Sequence, residues 1–255
     1  MNSAQEIILN NEMQYSEYAP QYDNLCDINP AYQELITLFS DNLKKLDLPS
    51  SPVVCDLGAG TGNFVCQLLS QAPNARVTHV DPSPEMNSLA RDKYAGNGFE
   101  VNIVESSMED WEFEDNSLDL VVCVNALNNA PPVMPMLKKI CRWLKPGGSI
   151  FLVNFGREIK ILDWTWFLLK NSLKNRGAAE TVRSIYQTRK AFSSNKAGRG
   201  DQKSGRLWTH TSDELATIVR ASGFEIKKFQ TCYREYADLV LAEKPYQNDP
   251  NKLTA

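Results

Sequence analysis

Apolar runs of strand length alternate with stretches of helical spacing from residue 50 onward. Val53-Val54-Cys55-Asp56-Leu57 is a β-branched run that stops at Gly58, and a helical pattern occupies Asn63 to Leu69. Ala75 to Val80 reads as a second strand ending at Asp81, Phe99 to Val104 as a third, Leu118 to Asn125 as a fourth, and Ile150 to Asn154 as a fifth. Upstream, Leu35, Ile36, Leu38, Phe39, Leu43 and Leu46 recur at helical spacing across Ala31 to Leu46. Near the other end, Thr211-Ser212-Asp213-Glu214 carries a capping pattern, and its helix runs out at Ala221-Ser222-Gly223. Phe224 to Cys232 and Ala237 to Glu243 then read as two antiparallel strands.

This alternation divides the chain into five stretches. They are an N-terminal lid and helix (1–48), a β/α core (49–156), an insertion (157–207), a segment completing the core (208–244) and a tail (245–255). The insertion contains a dense block, Ile161-Leu162-Asp163-Trp164-Thr165-Trp166-Phe167-Leu168-Leu169, and a second helical run from Ala178 to Phe192. A polar, glycine-containing loop from Asn195 to Gly205 follows.

The turn after the first strand is the most specific signal. Gly58, Gly60 and Gly62 stand at alternate positions, whereas the dinucleotide fingerprint has its third glycine where Asn63 stands. Asp56 precedes the first glycine, and an acid there repels a pyrophosphate but suits an ammonium group. The pattern therefore favours a ligand with a cationic amino-acid end, such as S-adenosylmethionine (SAM).

Asp81 ends the second strand, and Leu144-Lys145-Pro146-Gly147-Gly148-Ser149 leads into the fifth. With the glycine turn, in this order and spacing, residues 53–154 resemble the class I SAM-dependent methyltransferases. That resemblance implies an α/β, Rossmann-like fold: a seven-stranded mixed sheet flanked by helices, here with a helical cap insertion. It implies SAM as cofactor, with Asp56, Gly58, Gly60 and Gly62 facing the methionine end and Asp81 on the ribose. Ser107 and Met108 would lie beside the adenine, where many relatives carry Asp in place of Ser107. Asn125 would face the sulfonium and the second substrate. Tyr15, Tyr18 and Tyr22 form a cluster like the segment that folds over SAM in small-molecule members. Tyrosine rings near a sulfonium would gain cation–π energy; otherwise they staple the first helix to the core.

Bulk properties fit a soluble, cytoplasmic enzyme, and the resemblance implies a small-molecule substrate. Net charge is −4, which argues against general nucleic-acid binding, and there is no apolar run long enough to span a membrane. The insertion carries twelve lysines and arginines against four acids, a net of +8 that leaves −12 for the rest. A solvated helix face is the favoured reading of this charge. The six cysteines lack C-x-x-C spacing, and the two histidines, His79 and His210, are far apart, so neither disulfides nor a metal site are expected. His79 is expected to be a satisfied core histidine, and Asp119 and Lys145 solvated ends of elements; His210 is a candidate polar group for the chemistry, with a surface residue at a helix entry the favoured reading.

Methyl transfer needs a positioned nucleophile and an excluded solvent, and a base only when the nucleophile arrives protonated. Obvious bases are scarce after strand four, where the chain reads Asn125-Ala126-Leu127-Asn128-Asn129. The leading expectation is a small-molecule methyltransferase. The alternative, drawn from relatives, is a SAM cyclase in which the amine attacks its own γ-carbon, giving azetidine-2-carboxylate and methylthioadenosine. Tyr15, Tyr186, Asn125 and Asn154 are the candidate catalytic residues. A non-catalytic scaffold of the same fold ranks last, because its glycine turn would be broken.

Overall fold

The computed structural model describes residues 22–129, 132–158, 160, 163–174, 177 and 207–246. Residues 22–28 are helical and lead into α1 (Pro30–Leu43), which Asn29 caps by accepting from the Ala31 N–H. The elements that follow are β1 (Val53–Leu57), α2 (Asn63–Gln71), β2 (Arg76–Asp81), α3 (Pro84–Asn97), β3 (Asn102–Glu105) and β4 (Leu118–Val124). Then come α4 (Val133–Trp143), β5 (Leu144–Phe155), a helical stretch at 163–174, α5 (Ser212–Ala221), β6 (Glu225–Cys232) and β7 (Ala237–Glu243).

All seven strands join one sheet in the order β3-β2-β1-β4-β5-β7-β6. The first five pair in parallel, while β7 runs antiparallel to both β5 and β6. Strand order reverses beside β1, so the carboxyl ends of β1 and β4 flank the crevice where such sheets bind ligands.

Alternation along the central strands builds two cores. Cys55, Leu57, Val121, Cys123, Ile150, Leu152 and Val240 meet α4 and α5 on one face, through Leu137, Ile140, Trp143, Leu215 and Val219. Val54, Leu120, Val122, Phe151, Val153 and Leu239 meet α1, α2 and α3 on the other, through Leu35, Phe39, Phe64, Leu68 and Ala90. A smaller cluster of Ala31, Trp164 and Leu168 packs the 163–174 helix against the start of α1 and the β6–β7 turn. All six cysteines are free. Among the described residues no helix is long and apolar enough to cross a membrane, and no cluster of metal-ligating side chains forms.

The structure corrects several expected boundaries. The third strand starts at Asn102 rather than Phe99, because Thr78 of β2 pairs first with Asn102. The first helix ends at Leu43, after which the backbone tightens into turns at Lys45 and Leu46. The Lys-Pro-Gly-Gly segment belongs to β5: Leu144 pairs with Leu118, and the register slips before Ser149 meets Leu120. Asp119 and Lys145 are not simply solvated. Lys145 Nζ lies 2.8 Å from Asp119 Oδ1, and Asp119 Oδ2 accepts from the Val53 N–H, fixing the entry to β1.

The capping pattern before α5 forms in full, with Thr211 Oγ1 accepting from the Glu214 N–H and Glu214 accepting from the Thr211 N–H. Thr211→Ala is expected to cost about 1 kcal/mol of stability. Urea denaturation checks this, and an unchanged midpoint would show that the box contributes nothing.

Candidate functional site

The site forms where β1 gives way to α2. In-register pairing of Leu57 with Val80 brings the turn over the end of β2. Gly58 and Ala59 both donate to Val80 O, at 2.8 and 3.2 Å, and the Gly60 N–H donates to Asp81 Oδ2 at 2.8 Å. This path requires left-handed backbone, with φ of +67° at Gly58, +56° at Gly60 and +78° at Gly62. A Cβ on Gly58 would stand 2.3 Å from Ala126 Cβ, and one on Gly62 would stand 2.2 Å from the Tyr94 hydroxyl. A Cβ on Gly60 would meet no described residue within 4 Å. Gly58 and Gly62 thus serve close packing, while Gly60 borders open space.

Asp56 and Asp81 face this turn in different states. Asp81 accepts from Gly60 N–H through Oδ2 and from Ser83 N–H through Oδ1. Burial raises its pKa, and those two backbone donors pull it back down. Asp56 is buried, and its Oδ2 has no partner among the described residues. Burial, with the Asp81 charge adding to it, pushes Asp56 up to about 8. A small cleft opens beside it, with Tyr22, Tyr32, Gly58, Thr61 and Asn63 among its lining.

A polar network ties the N-terminal helical turn to this cleft. Thr61 Oγ1 donates to Asp23 Oδ1 at 2.6 Å, and Asn63 Nδ2 reaches both Asp23 Oδ1 and the Tyr32 hydroxyl. Lys93 Nζ lies 2.9 Å from Asp23 Oδ2 and 2.5 Å from Asn63 Oδ1. The sequence gives no sign of a site role for Tyr32 or Lys93. Asp23 adjoins the tyrosine cluster and is findable there; Lys93 is brought in only by the packing of α3.

The other candidates separate. Met108 lies beside the turn, its Cε 3.8 Å from where a Gly58 Cβ would stand. Ser107 spends its hydroxyl on Asp110, donating to Oδ2 and accepting from the N–H, which closes a turn. Asn125 adopts a φ of +55°, donates its N–H to Val153 O, and leaves a buried Oδ1 without a partner among the described residues. Asn154 is fully buried: Oδ1 accepts from the Asn128 N–H and Nδ2 donates to Phe155 O, which shapes the turn after β4. Tyr15 and Tyr186 lie outside the described residues, as do the second cap helix and the Asn195–Gly205 loop. His79 is satisfied in the core, with Nδ1 at 2.7 Å from the Tyr94 hydroxyl and Nε2 at 2.9 Å from Asn87 Oδ1. His210 is not on the surface: it is 4% exposed, packed against Gly156 and Trp208.

Residues 54–148 match the methyltransferase domain family. Demethylmenaquinone methyltransferases from Chlorobaculum tepidum and Thermus thermophilus are each 30% identical to this chain, over 150 and 147 residues. Each match takes in 55% of the chain, which spans only 57% and 64% of the respective relatives' lengths. A SAM-dependent methyltransferase structure from Aquifex aeolicus superposes with a TM-score of 0.55 at 16% identity, covering 81% of this chain and 89% of that one. Over residues 54–148 the chain is similar to SAM-dependent methyltransferase domains, and its sheet has their class I fold. SAM is the cofactor of such domains and of this chain. The site fits it: an unpaired buried carboxylate at Asp56 suits an ammonium group, and Gly60 leaves the backbone approachable.

A methyltransferase site built this way should distinguish two of its glycines. Gly58→Ala must displace Ala126, and overpacking of that kind costs about 1–3 kcal/mol on top of the left-handed strain. Gly60→Ala carries only the strain, about 1–2 kcal/mol, while placing a methyl group in the ligand's path. Calorimetry should show SAM affinity falling in Gly60→Ala although urea denaturation finds it the more stable of the two. Equal SAM affinity to wild type would remove Gly60 from the site.

Asp56 makes binding pH-dependent. Its raised pKa means that the folded chain holds a proton there below about pH 8, so Asp56 contributes stability that declines as pH rises toward that value. An ammonium partner favours the carboxylate and expels the proton. SAM affinity should therefore climb by up to about tenfold per pH unit between about pH 6 and 7.5. Titrations in buffers of different ionisation enthalpy will read the released proton, and no buffer dependence would take the ammonium away from Asp56.

Proposed function

We propose that this chain transfers the sulfonium methyl of SAM, in line, to a small molecule. The observation that carries this is the unpaired, buried Asp56 carboxylate at the glycine turn, in a cleft that Tyr22, Gly58 and Thr61 also line. SAM supplies the methyl group and the thioether leaving group when bound. The chain's own residues bind, orient and exclude water. Asp56 would hold the ammonium group, the Gly60 backbone would border the methionine end, and Asp81 would use its remaining lone pairs on the ribose hydroxyls. Met108 and Ser107 would flank the adenine. Asn125, raised on left-handed backbone at the end of β4, would present Oδ1 to the reacting centre. Two relatives named for demethylmenaquinone methylation support a small organic acceptor rather than a macromolecule.

One observation also favours the cyclase reading. Asn125 Oδ1 is an acceptor with no partner among the described residues, and it suits the attacking amine of SAM itself. Incubation of the purified protein with SAM alone, followed by mass spectrometry of the nucleosides, separates the two. The methyltransferase reading expects SAM to persist until an acceptor is added, then S-adenosylhomocysteine. Methylthioadenosine formed above the protein-free rate would mean attack at the γ-carbon and overturn it.

A further inference from the structure

The sequence places His210 at a surface helix entry, yet its ring is fully buried at the carboxyl edge of the sheet. Its N–H donates to Gly156 O, directly after β5, and the Trp208 N–H donates to Asn128 O in the turn after β4. The imidazole stacks on Trp208, with centroids 4.5 Å apart at 34°. Nδ1 lies 3.1 Å from Thr211 O. A carbonyl only accepts, so Nδ1 carries the proton and Nε2 is a bare lone pair. That Nε2 is buried and has no partner among the described residues.

The ring's charged neighbours pull both ways: Asp238 and Glu214 favour an added proton, and Arg157 opposes it. Asp238 Oδ2, itself fully buried, stands 3.6 Å from Nδ1 and faces the imidazolium that would form. Arg157 donates to both Asp238 oxygens, and Ser212 Oγ donates to Oδ1, so the carboxylate is fixed. Glu214, beyond the ring on α5, adds a weaker field of the same sign as Asp238. Burial lowers the histidine's pKa, which keeps the resting ring neutral.

His210 Nε2 has company. Oδ1 of Asn125, Asn128 and Asn129 are also buried and unpartnered among the described residues. All four atoms are acceptors, and all four residues follow β4 or pack against the exit of β5. Buried acceptors left unmet in these neighbouring turns call for a ligand that brings donors.

We propose that the second substrate is a hydrogen-bond donor, an amine or a hydroxyl compound, and that His210 Nε2 takes its proton. The proposal rests on the SAM-enzyme reading above and deepens it. The nucleophile's lone pair forms the bond to the methyl carbon, the carbon–sulfur bond breaks with its pair going to sulfur, and the proton passes from nucleophile to Nε2. In the cyclase reading the same proton comes from the amine of SAM.

The test uses the whole chain and two probes, S-adenosylhomocysteine and sinefungin, which carries an amine-bearing carbon in place of the methylated sulfur. With only two histidines in the chain, long-range nitrogen NMR resolves both rings. Asn87 Nδ2 donates to Asp81 O, leaving its Oδ1 to accept from His79 Nε2, so the two histidines should show opposite neutral tautomers. The His210→Gln variant identifies which signals are whose. The expected result is a bare His210 Nε2 with S-adenosylhomocysteine that shifts when sinefungin replaces it. Wild type should also prefer sinefungin by about tenfold more than His210→Gln does, the scale of one hydrogen bond to a charged group. A proton on Nε2 in the S-adenosylhomocysteine complex, a signal unmoved by bound sinefungin, or sinefungin failing where S-adenosylhomocysteine binds would each overturn the proposal. The wild-type spectra decide this even where the variant does not fold. Failure of both probes to bind would instead sink the cofactor reading beneath it.

Discussion

Everything at this site depends on how the turn after β1 is tied to the end of β2. Two backbone N–H groups converge on Val80 O, and a third reaches the Asp81 carboxylate. Those bonds are possible only because three residues adopt left-handed backbone, and two of the three have no room for a side chain. The tie fixes both acids at once. Asp81, anchored by two backbone donors, is kept closer to its ionised form and still has lone pairs to offer. Asp56, on the strand just before the turn, gets no donor to Oδ2 from the described residues and stays protonated up to about pH 8. The same turn thus prepares one acid to accept hydroxyls and leaves the other waiting for a cation.

The N-terminal helical turn is held to this framework by charge and hydrogen bonding as well as by the burial of Cys26 in the core. Asp23 receives Thr61, Asn63 and Lys93 together, so three elements close on one carboxylate. Tyr22 reaches the cleft as a consequence. A second anchor lies further along, where Asn29 Nδ2 donates to the Tyr233 hydroxyl at 2.6 Å and Trp164 packs on the Tyr233 ring. Tyr233, Arg234 and Glu235 are consecutive residues with positive φ, so the β6–β7 turn accepts backbone strain in order to present that tyrosine. The cofactor edge and the cap therefore share a wall, built from the start of α1.

The sheet is legible in the sequence because its central strands are buried on both faces and so read as continuous apolar, β-branched runs. The run from Leu118 marks β4 to within a residue of its end at Val124, and Ala237–Glu243 reads as it stands. Asn102–Glu105 is harder to place, because Phe99 and Val101 are apolar for packing beneath the sheet rather than for pairing. Within the site, Asp56, the glycines and Asp81 are legible because local sequence dictates the turn that gathers them. Lys93 and His210 are not, since each owes its position to a partner far along the chain. His210 in particular precedes a capped helix, which in sequence looks like any exposed entry. Only the fold shows that Gly156, by lacking a side chain, makes room for the imidazole.

Unpaired buried polar atoms are costly, about 1–3 kcal/mol each, against a total stability of about 5–15 kcal/mol. Nine side-chain atoms among the described residues lack a hydrogen-bond partner; Arg234 Nη1 is held in an ion pair with Asp163, and five of the others belong to Asp56, Asn125, Asn128, Asn129 and His210. These five lie at or beyond the carboxyl ends of β1, β4 and β5, whereas the others are scattered over α2, the segment after β3, the 163–174 helix and the β6–β7 turn. A fold that needed only to be stable would replace these groups with apolar ones of similar size. Keeping them together at one edge makes sense when a bound molecule completes their hydrogen bonds, because the cost is then removed on binding and becomes selectivity. A ligand lacking a cation for Asp56, or donors for the asparagines and the histidine, would leave that cost in place and be rejected.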